Sequence, residues 1–191
     1  TVVELNPDGT ITPMLAESWE VSADGLVYTF KIRSGVKFHD GSDLDSADVA
    51  YSMNINAKSP NSKLSAPHQN VASVEATDAS TVVITLKQVS STFLKELGMS
   101  AGYVVPENFL TDNDPNSSMI GTGPWTFGEY LPDTSLTLNR FADYWGEAPF
   151  FDTLVWLFID DETASLNGML AGEYDLNVAV LAEGIERVDS F

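Results

Sequence analysis

Large apolar side chains occupy every second position from Leu26 to Ile32, in the segment LVYTFKIR. This alternation puts an apolar face and a more polar face on opposite sides of an extended chain, which predicts a half-buried strand. The segments VASVEA at residues 71–76 and TVVITLK at residues 81–87 flank the short turn TDAS and predict a hairpin. The first part of the chain is therefore expected to contain paired strands.

Two stretches have helical signals instead. One helix is predicted to begin at Asp45, where a second carboxylate at Asp48 lies in the first turn and favours the helix N-terminus. Its apolar residues fall on more than one side, so we expect it to be covered on two sides. A second helix is predicted to begin near Ser90 or Ser91, whose hydroxyls can cap free amides, and to end at Gly98.

The polar, proline-bearing residues 58–70 predict a surface loop between the first helix and the hairpin. Residues 111–118, TDNDPNSS, predict a junction, and two short strands around the turn LPDT follow it. The continuous apolar run TLVWLFI at residues 153–159 predicts a strand buried on both faces. We expect these segments to belong to a second sheet.

A strand–helix–strand unit is predicted to follow from this apolar run. Asp160 or Asp161 caps its short helix, Gly172 ends it, and the residues from 173 to 178 return as a strand. One helix cannot cover both faces of a central strand. We therefore expect this chain to be part of a longer protein.

Composition narrows the classes of function. The chain has 191 residues, 43% of them hydrophobic, with 9 basic and 28 acidic side chains and a net charge of -19. Such a surface repels phosphate backbones, so nucleic acid is not an expected partner. Cysteine is absent, which removes disulfides, zinc–thiolate sites and thiol nucleophiles. No apolar run approaches the roughly 20 residues of a membrane span.

The segment VKFHDG contains one of only two histidines and raises the question of a catalytic base. Asp40 is the one carboxylate beside His39, but adjacent residues of an extended segment point to opposite faces, so Asp40 is poorly placed to orient the imidazole. Asp40 and Gly41 are ordinary turn residues. The second histidine, His68, lies in the predicted loop and has no partner identifiable by spacing. Both are interpreted as structural.

Residues 112–118 resemble the start of a calcium loop, with oxygen donors at Asp112, Asp114, Asn116 and Ser118. The sixth position of such a loop requires glycine and here is Ser117, and the twelfth requires a bidentate glutamate and here is Gly123. GTGP at residues 121–124 lacks a P-loop lysine and is interpreted as a backbone-defined turn. No nucleophile elbow or HExxH motif occurs. These patterns predict no metal site, no cofactor and no enzyme.

Residues 13–52, PMLAESWEVSADGLVYTFKIRSGVKFHDGSDLDSADVAYS, closely resemble the signature of the family 5 extracellular solute-binding proteins, the peptide-, dipeptide- and nickel-binding receptors of ABC importers. By this resemblance VKFHDG is a strand-and-turn motif and SADVAYS is the helix after it. Both are then scaffold, which answers the question raised by His39.

Later motifs agree in order. GTGPW resembles the family's G-T-G-P-aromatic turn, and LNRFADYWG resembles its asparagine-x-x-tyrosine-tryptophan region, although family members often have proline where Phe141 or Ala142 stands. IDDETASLNGMLAGEYDL resembles a segment that normally carries an arginine near Ala164. The resemblance covers nearly the whole chain.

The resemblance implies an α/β fold: a periplasmic-binding-protein type II-like lobe with a mixed β-sheet and an accessory α+β subdomain, incomplete in this chain. Residues 1–110 would form the accessory subdomain, residues 111–120 a junction, and residues 121–191 part of the α/β core of the first lobe. The second lobe, which supplies much of the ligand clamp, would be absent. The family's usual lipoprotein or secretory signal would be absent as well.

By the same resemblance, the function would be that of the substrate-binding component of an ABC importer, which captures peptides between two lobes and delivers them to a membrane permease. Its partners would be a peptide or other small solute and the permease subunits. The location would be extracytoplasmic, either periplasmic or as a cell-surface lipoprotein, and the full-length parent would be monomeric. The ligand-proximal residues would be Asn177, Val178, Ala179, Val180 and Leu181, then Gly121, Thr122 and Gly123, and Tyr103.

Two rival functions stay open from sequence. One is an extracytoplasmic hydrolase whose catalytic residues lie outside this chain. The other is a calcium-stabilised adhesion or scaffold module. Nickel complexes and haem are further ligands of the family, although two histidines and no cysteine are available here.

Overall fold

The computed structural model describes residues 1–59, 62–107, 109–114 and 119–177. The chain forms two compact units. The first unit is Thr1–Phe127 with Arg140–Asp152, and the second is Gly128–Asn139 with Thr153–Phe191. Within the described ranges, none of the helices has the length and apolar character needed to cross a membrane.

The first unit begins with four strands: β1 (Val3–Leu5), β2 (Ile11–Pro13), β3 (Ala16–Val21) and β4 (Val27–Ile32). Two helices and a hairpin follow: α1 (Ser46–Ala57), α2 (Ser62–His68), β5 (Val71–Asp78) and β6 (Thr81–Leu86). Three short helical elements come next: α3 (Phe93–Leu97), a 3-10 helix (Ser100–Gly102) and α4 (Phe109–Asp112).

An antiparallel sheet with the strand order β3-β4-β6-β5 organises the first unit. Its second strand, β4, confirms the predicted alternation, since Tyr28, Phe30 and Ile32 are buried while Lys31 is exposed. β5 and β6 confirm the predicted hairpin. Strands β1 and β2 form a separate antiparallel pair. The core of this unit is apolar, and its largest fully buried side chains are Phe30, Phe38, Phe93, Leu15 and Met53.

Helix α1 begins where the sequence predicts. Asp45 is its N-cap and accepts hydrogen bonds from the amides of Ala47 at 2.7 Å and Asp48 at 3.3 Å. The Asp45 amide in turn donates to the Asp48 carboxylate at 2.9 Å, which completes a capping box. Asp48, Val49 and Ala50 are consecutive, so they point to different sides of the helix, and all three are buried, in keeping with a helix that is covered on more than one side.

The loop predicted at residues 58–70 is wrong, because α2 occupies most of it despite Pro67 inside the helix. Its polar residues give no apolar periodicity, so propensity alone does not account for it. The helix packs against α1 and the 3-10 helix, and His68 at its end is only 3% exposed. Tertiary packing therefore stabilises a short helix that local sequence does not specify.

The N-cap of helix α3 lies one to two residues beyond the predicted start near Ser90 or Ser91. The helix begins at Phe93 with Thr92 as N-cap. The Thr92 side chain makes no capping bond, but the Ser90 hydroxyl accepts the Thr92 amide at 3.3 Å. Gly98 does end the helix, but its φ of -80° is not left-handed. The reason for glycine is space, because a Cβ there would lie 2.9 Å from the backbone nitrogen of Leu5.

The remaining strands form a sheet with the order β7-β8-β9. Its strands are β7 (Trp125–Leu131), β8 (Ser135–Arg140) and β9 (Thr153–Leu157). Helix α5 (Glu162–Leu170) follows in the second unit. Asp161 caps it by accepting the amide of Ala164 at 2.7 Å, and Gly172 beyond its end has a φ of +78°, as the sequence predicts.

Strand β9 is not buried on both faces, which corrects the prediction for residues 153–159. All five of its residues are exposed, with Val155 at 53% and Trp156 at 46%. It pairs with β8 and is the end strand of the sheet in the described part of the chain. Residues 173–177 contain no strand, so the second arm of the predicted strand–helix–strand unit is absent there, and residue 178 lies outside the described residues.

The predicted boundaries of 1–110, 111–120 and 121–191 refer to the lobes of a longer protein and stay a prediction. The two units divide the chain along other lines, because residues 121–127 and Arg140–Asp152 pack with the first unit.

Candidate ligand-binding region

The backbone of the 121–124 turn is fixed by the ring of His39. The His39 amide donates to the Gly121 carbonyl at 2.9 Å. The Gly121 amide donates to Nδ1 of the imidazole at 3.2 Å, and Nε2 lies 3.0 Å from the Gly123 carbonyl oxygen. The backbone groups of the turn are therefore held by a distant side chain, which the interpretation as a backbone-defined turn did not include.

These contacts determine the tautomer of His39. Nδ1 faces an N–H group and must act as an acceptor, so it carries no proton. Nε2 faces a carbonyl and must donate, so it carries the proton. The imidazole is neutral in this arrangement and uses both nitrogens on one turn.

Two aromatic residues hold the rest of the turn. The indole Nε1 of Trp145 donates to the Thr122 carbonyl at 3.2 Å, and the Phe141 amide donates to the Pro124 carbonyl at 2.9 Å. The Phe141 ring also meets the His39 ring edge-on, with 5.1 Å between centroids. Each carbonyl from Gly121 to Pro124 thus accepts a hydrogen bond from elsewhere in the first unit.

Arg33 completes this arrangement from the end of β4. Its guanidinium lies 4.7 Å from the centroid of the Trp145 ring, a cation–π distance. Its Nε donates to the Met14 carbonyl at 3.2 Å, and its guanidinium lies 3.7 Å from the Glu17 carboxylate. We call the 121–124 turn with His39, Phe141, Trp145 and Arg33 the turn cluster.

The turn cluster brings together residues from three motifs that are far apart in the sequence. His39 belongs to VKFHDG, the turn to GTGPW, and Trp145 to LNRFADYWG. Asp40 is not a partner of His39, since its carboxylate accepts the Ser42 hydroxyl at 2.6 Å and the Ser42 amide at 3.0 Å. The interpretation of His39 as structural agrees with these contacts, but its partners lie 82 and 84 residues away and have no local signal.

Tyr103 lies on a different segment of the first unit and is 59% exposed. Side chains of α1 hold the backbone that follows it. The Ser52 hydroxyl accepts the Val105 amide at 2.9 Å and lies 3.0 Å from the Val105 carbonyl, to which it donates. Asp48 accepts the Glu107 amide at 2.7 Å. The SADVAYS motif therefore orients the chain from which Tyr103 projects, a role that sequence reasoning missed.

Asp48 is only 7% exposed, so its carboxylate is largely removed from water. Burial raises its pKa above the usual value of 3.8, and this effect outweighs the hydrogen bonds from the Asp45 and Glu107 amides, which lower it. The nearby carboxylates of Asp45 and Glu107 raise the pKa further. Two backbone amides are therefore held by a carboxylate whose charge is costly to bury.

Asn177 lies in the second unit. Its amide nitrogen donates to the Ser165 hydroxyl of α5 at 3.1 Å. Tyr174 lies against Gly168 of the same helix, where a Cβ would come within 2.3 Å of its ring. The chain entering the predicted ligand segment is thus anchored on α5, while Val178, Ala179, Val180 and Leu181 lie outside the described residues.

The structure therefore gathers Gly121, Thr122 and Gly123 on His39, and places Tyr103 on another segment of the same unit and Asn177 in the other unit. Contact of these residues with a ligand stays a prediction. In the described ranges, no group of three or more histidine, aspartate or glutamate side chains could hold a metal ion. Asp112 lies in α4, and residues 115–118 of the calcium-like stretch are outside the described residues.

Comparison with known proteins gives a consistent set of relatives. The family described as bacterial extracellular solute-binding proteins, family 5 middle, matches residues 10–191. A heme-binding protein A from Haemophilus influenzae is 35% identical and aligns with 95% of this chain and 39% of its own length. A dipeptide-binding protein from Escherichia coli is 31% identical over 79% of this chain and 33% of its own length.

A solved structure has the same fold. The ABC transporter-associated periplasmic binding protein DppA from Helicobacter pylori, in complex with the peptide STSA, matches with a TM-score of 0.87. The two are 27% identical, and the match covers 100% of this chain and 42% of that one. This confirms the predicted α/β fold of the periplasmic-binding-protein type II class. The chain spans about two fifths or less of the length of these relatives.

Proposed function

Because the chain belongs to the bacterial extracellular solute-binding proteins of family 5, we propose that its full-length protein is the substrate-binding component of an ABC importer. It captures peptides between two lobes and delivers them to a membrane permease. The observation that carries this proposal is the turn cluster, where three motifs of the family resemblance converge on one hydrogen-bonded turn. No enzyme activity is proposed.

A receptor of this kind needs backbone that is rigid before the ligand arrives. Ligand contacts must favour a closed arrangement of the lobes over an open one, and a preformed site lowers the ordering cost of binding. The turn cluster supplies such backbone at Gly121, Thr122 and Gly123, and α1 supplies it near Tyr103. We propose these four residues, with Asn177, Val178, Ala179, Val180 and Leu181, as the ligand-proximal positions of this chain.

Peptide is the ligand class that we propose, and two of the relatives reported above support it. One of them is a dipeptide-binding protein and another is in complex with a four-residue peptide, although a third is named for haem. An extended peptide can bind by strand addition, in which main-chain hydrogen bonds give affinity with little side-chain selectivity. A net charge of -19 would also attract cationic peptides, within a screening length of about 8 Å at physiological salt.

The partners and location follow from the same proposal. The protein would work outside the cytoplasm, in the periplasm or tethered to the cell surface as a lipoprotein, and would dock as a monomer on the permease subunits of its importer. A calcium-stabilised module and a hydrolase are less favoured, since the relatives reported above are named as binding proteins.

Titration calorimetry with the full-length gene product tests the ligand class. We expect binding of short peptides and a loss of at least tenfold when the peptide backbone is N-methylated, because methylation removes the main-chain donors of strand addition. Exchanging one peptide side chain for another of similar size is the matched control and should change affinity less. Binding of haem or a nickel–histidine complex with no binding of peptides would contradict the proposal.

A further inference from the structure

The imidazole of His39 carries two hydrogen bonds of opposite polarity to one turn. Nδ1 accepts from the Gly121 amide, and Nε2 donates to the Gly123 carbonyl. The other neutral tautomer would place a donor against the amide and an acceptor against the carbonyl, and the imidazolium would place a second donor against the amide. Only the neutral Nε2–H form satisfies both contacts.

We propose that His39 is a positioning residue that holds the 121–124 turn in its ligand-proximal geometry as a neutral imidazole, and that protonation of Nδ1 releases the Gly121 amide and weakens ligand binding. The part that concerns the ligand rests on the proposed function. The part that concerns the turn does not, because it follows from contacts within the first unit.

The charged groups on the segments around His39 make no hydrogen bond to its ring. On its own segment, Asp40 bonds Ser42, and Lys37 pairs with Asp43 at 2.6 Å. The 121–124 turn, which packs against the ring, carries no ionisable side chain. Nearby, Arg140 forms an ion pair with Asp152 at 2.5 Å. Arg33 lies over the Trp145 ring and forms an ion pair with Glu17. Asp143 and Tyr144 follow Phe141 in sequence. None of these groups bonds the imidazole, so none replaces the Gly121 contact on protonation.

The release would be local. The His39 amide still donates to the Gly121 carbonyl, and Trp145 still donates to the Thr122 carbonyl, whatever the charge of the ring. The turn would therefore keep its place while the peptide plane of Gly121 gains freedom. A ligand that contacts this backbone would then bind more weakly, because the free energy of ordering the Gly121 peptide plane is subtracted from the free energy of binding.

Nuclear magnetic resonance on the 191-residue chain tests the turn directly. Two-bond ¹H–¹⁵N spectra of the chain labelled at histidine should show His39 as the Nε2–H tautomer at neutral pH. When acid is added to the folded protein, any change in the shifts of the His39 ring nitrogens should be matched by a shift of the Gly121 amide resonance in the same samples. The ring nitrogens of His68, recorded in the same spectra, are an internal control that the Gly121 resonance should not follow.

Substitutions separate the two contacts. His39→Asn keeps an acceptor near the position of Nδ1, and His39→Gln keeps a donor near that of Nε2, while His39→Phe removes both and keeps a ring beside Phe141. We expect the Gly121 amide resonance to stay near its wild-type position only in His39→Asn, and to lose its pH dependence in all three. An Nδ1–H tautomer at neutral pH, or a Gly121 resonance that ignores the His39 titration, would overturn the proposal.

A binding arm uses the full-length gene product and the tetrapeptide Ser-Thr-Ser-Ala. His39→Phe should bind at least threefold more weakly at neutral pH and should lose the part of the wild type's pH dependence that comes from the His39 ring. Equal affinities and equal pH dependence in both proteins would overturn the ligand part. If the wild type binds no peptide at all while the resonance results hold, the proposed function fails and the role of His39 in the turn stands.

Discussion

Removing the hydroxyl of Ser52 tests the claim that α1 orients the segment after Tyr103. Ser52 is fully buried, and its hydroxyl bridges the amide and the carbonyl of Val105 at 2.9 and 3.0 Å. Ser52→Ala deletes one oxygen, which leaves too little space for a water molecule to replace it. The Val105 amide would then lose its partner in the folded state while keeping water as a partner in the unfolded state.

The expected cost is about 2 kcal/mol, since leaving one partly buried donor unsatisfied costs roughly 1–3 kcal/mol. This corresponds to a change of roughly 30-fold in the unfolding equilibrium, at about 1.4 kcal/mol per factor of ten. For a chain of this size each kcal/mol lowers Tm by about 2–4 °C. We therefore expect Ser52→Ala to lower Tm by about 4–8 °C.

Urea unfolding followed by circular dichroism measures the free energy, and amide hydrogen exchange at Val105 locates the effect. Ser91→Ala is the matched control, because Ser91 is exposed and its hydroxyl makes no hydrogen bond within the described residues. That substitution should change the free energy of unfolding by no more than about 0.5 kcal/mol. Equal effects of the two substitutions, with unchanged exchange at Val105, would refute the reasoning.

Three further outcomes are expected. Gly102→Ala should destabilise the first unit by about 1–3 kcal/mol in urea unfolding, because a Cβ there would lie 1.8 Å from the Leu97 carbonyl oxygen; an unchanged midpoint would contradict this. Hydrogen bonds from Thr81 and Ser80 lower the pKa of Asp78 to about 2 from 3.8, so its contribution to stability is present above about pH 4 and lost as the pH falls toward 2. Between about pH 4 and about pH 2, the free energy of unfolding should fall less steeply with pH in Asp78→Asn than in the wild type. Raising sodium chloride from about 50 mM to about 0.5 M should raise Tm, because salt screens the repulsion of a chain with net charge -19; a fall in Tm would count against that view.

Local signals predict the elements whose ends and faces are set by neighbours in sequence. The α1 capping box needs only Asp45 and Asp48, three residues apart, and the α5 cap needs only Asp161. The alternation of apolar and polar residues in β4 predicts which face of the strand is buried in the core. These features depend on contacts within one turn or one strand, so the sequence contains the information.

Two of the wrong predictions have their physical origin in contacts with distant parts of the chain. Helix α2 is stabilised by packing on α1, and its own residues show no apolar periodicity that would predict a helix. The continuous apolar run of strand β9 predicts burial on both faces. Burial depends on what lies against the strand, however, and the residues of β9 are exposed. What lies against a strand is set by the rest of the fold and not by the residues of the strand itself.

The candidate region divides in the same way. The 121–124 turn is recognisable from its glycines and proline, and its glycine-rich backbone suggests a tight turn. That His39 and Trp145 hold it cannot be inferred from spacing, because each residue lies more than 20 positions away. The same holds for Ser52 and Val105, which are 53 residues apart. The scaffold is therefore predictable in its parts, while the contacts that orient ligand-proximal backbone are visible only in the fold.

The most direct test of the central claim is mass spectrometry of the full-length gene product, purified without added ligand and recorded first under native and then under denaturing conditions. The proposed peptide receptor predicts an excess mass in the native spectrum that disappears on denaturation and is recovered as one or more short peptides. A native mass equal to the denatured mass, in a protein that also fails to bind a peptide library, would contradict peptide capture.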